Sequence, residues 1–324
     1  MTCAPKILLA AAAALSACAV AASAAPPTTI GIVEETTQGD WGSPVRAEVR
    51  LGFVETEEGW AAIECRSSPS SRDAKSVSMT CKNFTNPNEP MNWSVEFRGK
   101  KLGEITTKNW FDTKMYSHAG SLRIISGKVP FFGKRNKNFS GWMDAAVHHP
   151  LIAVIPGMPP AAYRWVEDKQ HPELLDSVWP TFLKLIPDVD VCHAVKGADP
   201  SGTTRATQRT DLVALRGWRS ASGEMLLHVA IKLELSSDCD GPSDKQTELW
   251  FYRDTNGKLR ALPGQFADPN SVNPSTGMML VDIGAFAGDD REQAIFFIGG
   301  YNMDGYILYY DHFRKFAIVT WGYH

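Results

Sequence analysis

Two acidic loops hold the residue types best suited to chemistry in this chain. One is Asp238-Cys239-Asp240-Gly241-Pro242-Ser243-Asp244; the other opens at Asp282 and runs to Gly288-Asp289-Asp290. Calcium takes about six to eight oxygens, several of them from carboxylates converging out of one loop. The alternation of Asp238 with Asp240 offers such a start, and Ca²⁺ is the only cofactor these loops suggest. Cys239 and Pro242 restrict the first loop, however, and a solvated turn has the same composition. A third grouping, Asp144 with His148 and His149, could hold a metal or shuttle a proton. Adjacent histidines diverge in an extended segment, and no third ligand lies near them. The chain has no H-E-x-x-H, G-x-S-x-G, S-x-x-K, P-loop or G-x-G-x-x-G pattern. A catalytic carboxylate pair could come from any of the 36 acids, and spacing does not select one.

Aromatic residues give a different lead. Tyr301, Tyr306, Tyr309 and Tyr310 crowd the tail together with Trp321 and Tyr323. Tyrosine and tryptophan are favoured contact residues, suited to stacking on sugars or gripping peptides. The same residues also fill β cores. The basic loop at 134–140 (KRNKNFS) could touch an anion, but a solvated loop reads identically.

The N-terminus predicts export. Lys6 precedes an Ala-rich apolar run, and Ala22-Ser23-Ala24 has the small-residue pattern of a signal cleavage site, which assigns residues 1–24 to a signal peptide of bacterial type. An alternative lies inside it: Leu15-Ser16-Ala17-Cys18 resembles a lipobox, with 1–17 removed and Cys18 lipidated. That anchor would be the only route to a membrane. Expected locations are the periplasm, the exterior or, if lipidated, the outer membrane. Cleavage at Ala24 leaves 32 cations against 36 acids, scattered along the chain, which argues against nucleic acid as a partner. It also leaves Cys65, Cys81, Cys192 and Cys239; an even count in an exported chain predicts disulfides, and the local pairing is Cys65–Cys81 with Cys192–Cys239.

The elements that must position these residues read as mainly β, in antiparallel meanders. In 45–54 (VRAEVRLGFV) Val45, Ala47, Val49 and Leu51 face one way and Arg46, Glu48 and Arg50 the other, a half-buried strand with a polar outer face. Glu58-Gly59 turns it into Trp60–Cys65. Hairpins follow at Arg98-Gly99 and Asn256-Gly257, and short buried strands at 122–125 and 151–155. Residues 225–235 alternate without a fault. One helix is expected near 173–186, where Leu175, Val178, Trp179, Phe182 and Ile186 form a stripe interrupted by Pro180. It divides an N-terminal β region (28–160) from a C-terminal one (187–324). The last stretch carries three dense apolar runs, 294–298, 306–310 and 316–321, each one strand long.

Windows 211–264 and 281–324 share an order of acidic loop, glycine and aromatic strands. A period near 45 residues with several strands per unit is what propeller blades show. The second window resembles the FG-GAP or VCBS-type repeat of exported bacterial proteins, through Val281-Asp282-Ile283 and Gly288-Asp289-Asp290-Arg291-Glu292-Gln293. That resemblance implies a propeller-like fold and a loop that commonly holds Ca²⁺. Gly284 and Gln293 stand where the family has acids. The expectation is therefore a non-catalytic binding or structural module at the cell envelope, with a glycan or envelope protein as partner. The alternative is a hydrolase acting on a glycan or cell-wall substrate through acidic residues.

Overall fold

The computed structural model describes residues 27–37, 45–67, 79–85, 87–110, 122–126, 149–156, 164–168, 172–186, 189–190, 204–234, 244–265, 277–288, 291–300 and 303–322. The N-terminal part contains β1 (Thr29–Thr37), β2 (Val45–Thr56), β3 (Gly59–Ala62), β4 (Glu64–Ser67), β5 (Met79–Lys82), β6 (Met91–Phe97), β7 (Lys100–Trp110), β8 (Leu122–Ser126) and β9 (Leu151–Ile155). Seven of these make one antiparallel sheet whose hydrogen-bonded neighbours return to their start, β1–β9–β6–β7–β8–β2–β1, with β3 extending β2 as a hairpin. Val33, Val49, Leu51, Trp93, Val95, Ile105, Leu151 and Ala153 pack together on one face. The small β4–β5 ribbon carries the Cys65–Cys81 disulfide across directly opposed positions, as expected from the local pairing.

The second sheet runs in the order β10 (Trp165–Asp168), β13 (Leu212–Ser220), β14 (Met225–Glu234), β15 (Asp244–Arg253) and β16 (Leu259–Ala261). Between its first two strands lie the helix α1 (Pro172–Leu185) and the two-residue strands β11 (Val189–Asp190) and β12 (Thr204–Arg205). The helix is continuous through Pro180, which sits on its exposed side. Leu174, Val178, Trp179, Phe182 and Ile186 press onto Met225, Leu227, Val229, Ile231 and Phe251. The helix is thus a cover over the sheet into which it is inserted, and β10, ahead of it, already belongs to that sheet. The alternation of β14 sets its wholly apolar face under the helix, while the other face mixes buried Leu226 and Ala230 with half-buried His228 and Lys232.

The tail forms the third sheet: β17 (Gly277–Gly284), β18 (Gln293–Gly300), β19 (Met303–Tyr310) and β20 (Lys315–Gly322), a four-stranded meander. It is the middle layer. Ile295, Phe297, Tyr306, Leu308 and Trp321 meet Ile30, Ile32, Phe53, Trp60, Ile152 and Val154 of the first sheet. On the opposite face, Phe296, Ile298, Ile307 and Tyr309 meet Trp165, Trp218, Leu226, Trp250 and Tyr252 of the second. A strand apolar on both faces reads as a continuous hydrophobic run, which is how these three read. Among the described residues the layers stack in a row, helix, second sheet, tail sheet, first sheet, rather than as blades around an axis. The architecture is mainly antiparallel β with one α-helix, and no described helix is long and apolar enough to cross a membrane.

Candidate functional site

At one end of the stack, hairpin ends from all three sheets surround a cleft of about 870 Å³, within the size range of small-molecule sites, about 300–1,000 Å³. The β2–β3 turn supplies Glu55, Glu57, Glu58, Gly59 and Trp60; the β13–β14 turn supplies Ala221, Ser222 and Glu224; the tail supplies Arg291–Gln293 and Tyr310–Phe313 with Lys315. Arg164, just before β10, completes it. No single stretch of sequence announces such a place, because each sheet contributes only a turn.

Glu224 is the best-fixed carboxylate. Its Oε2 accepts from the Ser222 hydroxyl at 2.9 Å, the Tyr252 hydroxyl donates to its Oε1, and His312 Nδ1 stands 3.7 Å away. Burial, then the bond to Glu224, pushes the Tyr252 phenol above its usual range, so it remains a donor. Glu292 is half-buried. Burial pushes its carboxyl up and the nearby Glu224 adds to this, while Trp165, Arg164 and His312 pull the other way. The Trp165 indole N–H has no hydrogen-bond partner of good geometry although the residue is 1% exposed. It nevertheless lies close enough to Glu292 to favour the ionised form.

The far wall is the β19–β20 turn, where Asp311, His312 and Phe313 have φ of 53°, 53° and 58° in succession. A left-handed conformation costs a non-glycine residue roughly 1–2 kcal/mol, and such strain persists only where surroundings over-determine it. Here Phe313 is buried against Trp165 and Tyr252, with ring centroids 5.9 and 5.2 Å away. Arg260, stacked 4.6 Å over Tyr252, donates to the carbonyls of Phe313 (2.9 Å) and His312. The turn is therefore clamped from the second sheet.

Tyr310 forms the aromatic wall, and Gly59 sets its place. Gly59 has φ 124°, and a Cβ there would lie 2.6 Å from the Tyr310 ring. Gly59→Ala is expected to cost about 1–3 kcal/mol through strain and collision; urea denaturation checks this, and an unchanged midpoint would contradict the close approach.

The tyrosines expected to form a contact surface divide. Tyr306 and Tyr309 are fully buried, a correction to that expectation. The Tyr306 hydroxyl donates to Glu34 at 2.5 Å and that of Tyr309 to the Pro263 carbonyl at 2.7 Å. Tyr310 alone reaches the cleft; Tyr301 lies outside the described residues. Of the acidic candidates, Asp238, Asp240, Asp289 and Asp290 also lie outside them, as do Cys18, Cys192, Cys239, Asp144, His148 and the basic loop. Asp244 begins β15.

Asp282 is buried at the bulge between Leu280 and Asp282, away from the cleft lining. Its Oδ2 accepts from the Arg98 backbone N–H at 2.7 Å and its Oδ1 from that of Ile283 at 2.9 Å, so it fastens the β6–β7 turn to the tail sheet. Burial pushes Asp282 up to about 7. Burial and the Asp282 charge push the buried Glu96 up to about 7 as well. Gln293 bridges its loop, accepting from the Phe286 N–H at 2.8 Å and donating to the Arg291 carbonyl at 2.6 Å. An amide can do both at once, which a carboxylate cannot. Among the described residues no three His, Cys, Asp or Glu converge as a metal-binding set.

One buried cluster was invisible in the sequence. Glu48 and Arg50, expected on a solvated face, are buried against the tail. Arg50 pairs with Glu34 at 3.0 Å, and its guanidinium lies 3.5 Å over the Trp321 ring. No family model, curated protein or solved structure matches the chain.

Proposed function

We propose that this protein is an exported, envelope-associated binding module that holds a saccharide in the cleft between its three sheets. The observation that carries the reading is the pairing of several carboxylates with the Tyr310 ring around one cavity of about 870 Å³. Sugars present hydroxyl donors, which carboxylates accept, and flat C–H faces, which aromatic rings cover. Held by Ser222 and Tyr252, Glu224 is pre-oriented to accept from a ligand, and little side-chain freedom is lost on binding. The export signal and the disulfide fit an extracytoplasmic setting. Titration of a panel of oligosaccharides, followed by intrinsic fluorescence, tests it. Saturable binding is expected, weakened about tenfold in Tyr310→Ala, equivalent to a loss of about 1.4 kcal/mol. No binding across the panel would refute it.

Glu292 favours a second reading, hydrolysis of a glycosidic bond. A half-buried carboxyl pushed up by burial is suited to proton donation, with Glu224 as the companion carboxylate. Release of reducing ends by purified protein, abolished in Glu292→Gln, would establish this activity. Binding without turnover would leave the module reading alone.

A further inference from the structure

We infer that the saccharide bound here carries free amino groups, the cleft selecting amino sugars over their N-acetylated counterparts through Glu292 and Glu224. This rests on the saccharide reading above and deepens it. Neutral hydroxyls do not require net charge in a site, yet the cleft lining has six carboxylates against three permanent cations, Arg164, Arg291 and Lys315. Two of those cations face carboxylates of the rim: Arg291 pairs with Glu55 at 2.7 Å, and Lys315 lies 3.7 Å from Asp311. Glu57, Glu58, Glu224 and Glu292 therefore dominate the field, and a cleft with low-dielectric walls focuses it on an entering cation. The Tyr310 ring adds a π face, which attracts an ammonium group.

An independent observation lies behind the carboxylates. Trp165 Nε1 is buried, makes no hydrogen bond of good geometry, and lies close enough to Glu292 to favour its ionised form. A buried donor left unmatched is costly, and an ionised carboxylate is its strongest acceptor. An ammonium group in front of Glu292 stabilises that ionised form, so the ligand and the indole act on the carboxylate from opposite sides. The raised Glu292 carboxyl fits this: burial and Glu224 push it up, and Trp165, Arg164 and His312 offset them only in part.

The test compares the glucosamine tetramer with its fully N-acetylated counterpart, by calorimetry on the full mature chain. The amine form is expected to bind at least about tenfold tighter at low salt, with the advantage shrinking as ionic strength rises. Glu292→Gln should remove most of that preference while leaving near-ultraviolet circular dichroism unchanged. The double variant Glu57→Gln/Glu58→Gln, at two exposed positions of the lining, should reduce it without affecting the fold. Equal or preferred binding of the acetylated tetramer would overturn the amino-sugar inference and leave the saccharide reading standing. Absence of binding by both tetramers would overturn the amino-sugar inference; the saccharide reading falls as well when the rest of the oligosaccharide panel also fails to bind.

Discussion

Arg50→Ala is expected to lower the unfolding free energy by about 3–5 kcal/mol, because it leaves the buried Glu34 carboxylate without its cation. Glu34 is held by Arg50 at 3.0 Å and by the Tyr306 hydroxyl at 2.5 Å, across the seam between the first sheet and the tail. Removing the guanidinium also uncovers the Trp321 face on which it lies. Burial works against the Arg50 charge, and Glu34 and Glu48 restore it, so its pKa stays above the ordinary arginine value. The pair itself is not a large net stabiliser. Exchanging both partners for apolar residues of similar volume is often nearly neutral, so Arg50→Met with Glu34→Leu should recover part of the loss. The buried Glu48 still loses its nearby cation, and the Tyr306 hydroxyl its acceptor. Urea denaturation of the single and double variants checks this. A loss below about 1 kcal/mol for Arg50→Ala would mean that water reaches the cluster.

Stability is expected to fall as pH rises from about 4 to about 8, on the order of 3 kcal/mol, through Glu96 and Asp282. Both carboxyls sit near 7 in the folded protein, against 4.5 and 3.8 for ordinary Glu and Asp. Across that window the folded state holds protons that the unfolded state has released, so unfolding becomes easier as pH increases. Below both ordinary values the stabilisation is complete; above the folded values it is lost. The Asp282 charge acts on Glu96, so the two groups titrate as a pair. Lys101 pulls Glu96 down, and the Arg98 backbone N–H and side-chain charge do the same for Asp282. His149, edge-on to Phe97 and pushed down by burial, acts in the opposite sense below about 6.5. Comparison with Glu96→Gln removes that contribution. The variant should match or exceed the parent above pH 8 and show a shallower slope. Parallel pH profiles for the two proteins would contradict the role given to Glu96.

How legible the chain was depended on distance. Local pattern located the tail strands, the Arg98-Gly99 and Asn256-Gly257 hairpins, the α1 stripe and the Cys65–Cys81 pair, because each is set by spacing within one or two turns. Layer order was not readable. The alternation of β2 is the same whether Glu48 and Arg50 face water or a third sheet, and only Tyr306 and Trp321, some 250 residues later, decide it. The tyrosines of 306–310 point alternately to the two faces of a sheet buried on both, so only Tyr310, where β19 gives way to its turn, reaches the cleft. That cleft gathers turns from residues near 57, 222, 292 and 312, and no motif spans them. Asp282 entered the sequence reading as a Ca²⁺ candidate. What set it apart was burial beneath the β6–β7 turn, which the spacing of neighbouring acids does not encode.

A crystal structure of the protein grown with a bound oligosaccharide addresses the central claim most directly. Sugar rings are predicted against Tyr310, with polar groups on Glu224 and Glu292. A saccharide ordered elsewhere on the surface, with only solvent between the three hairpin ends, would contradict it.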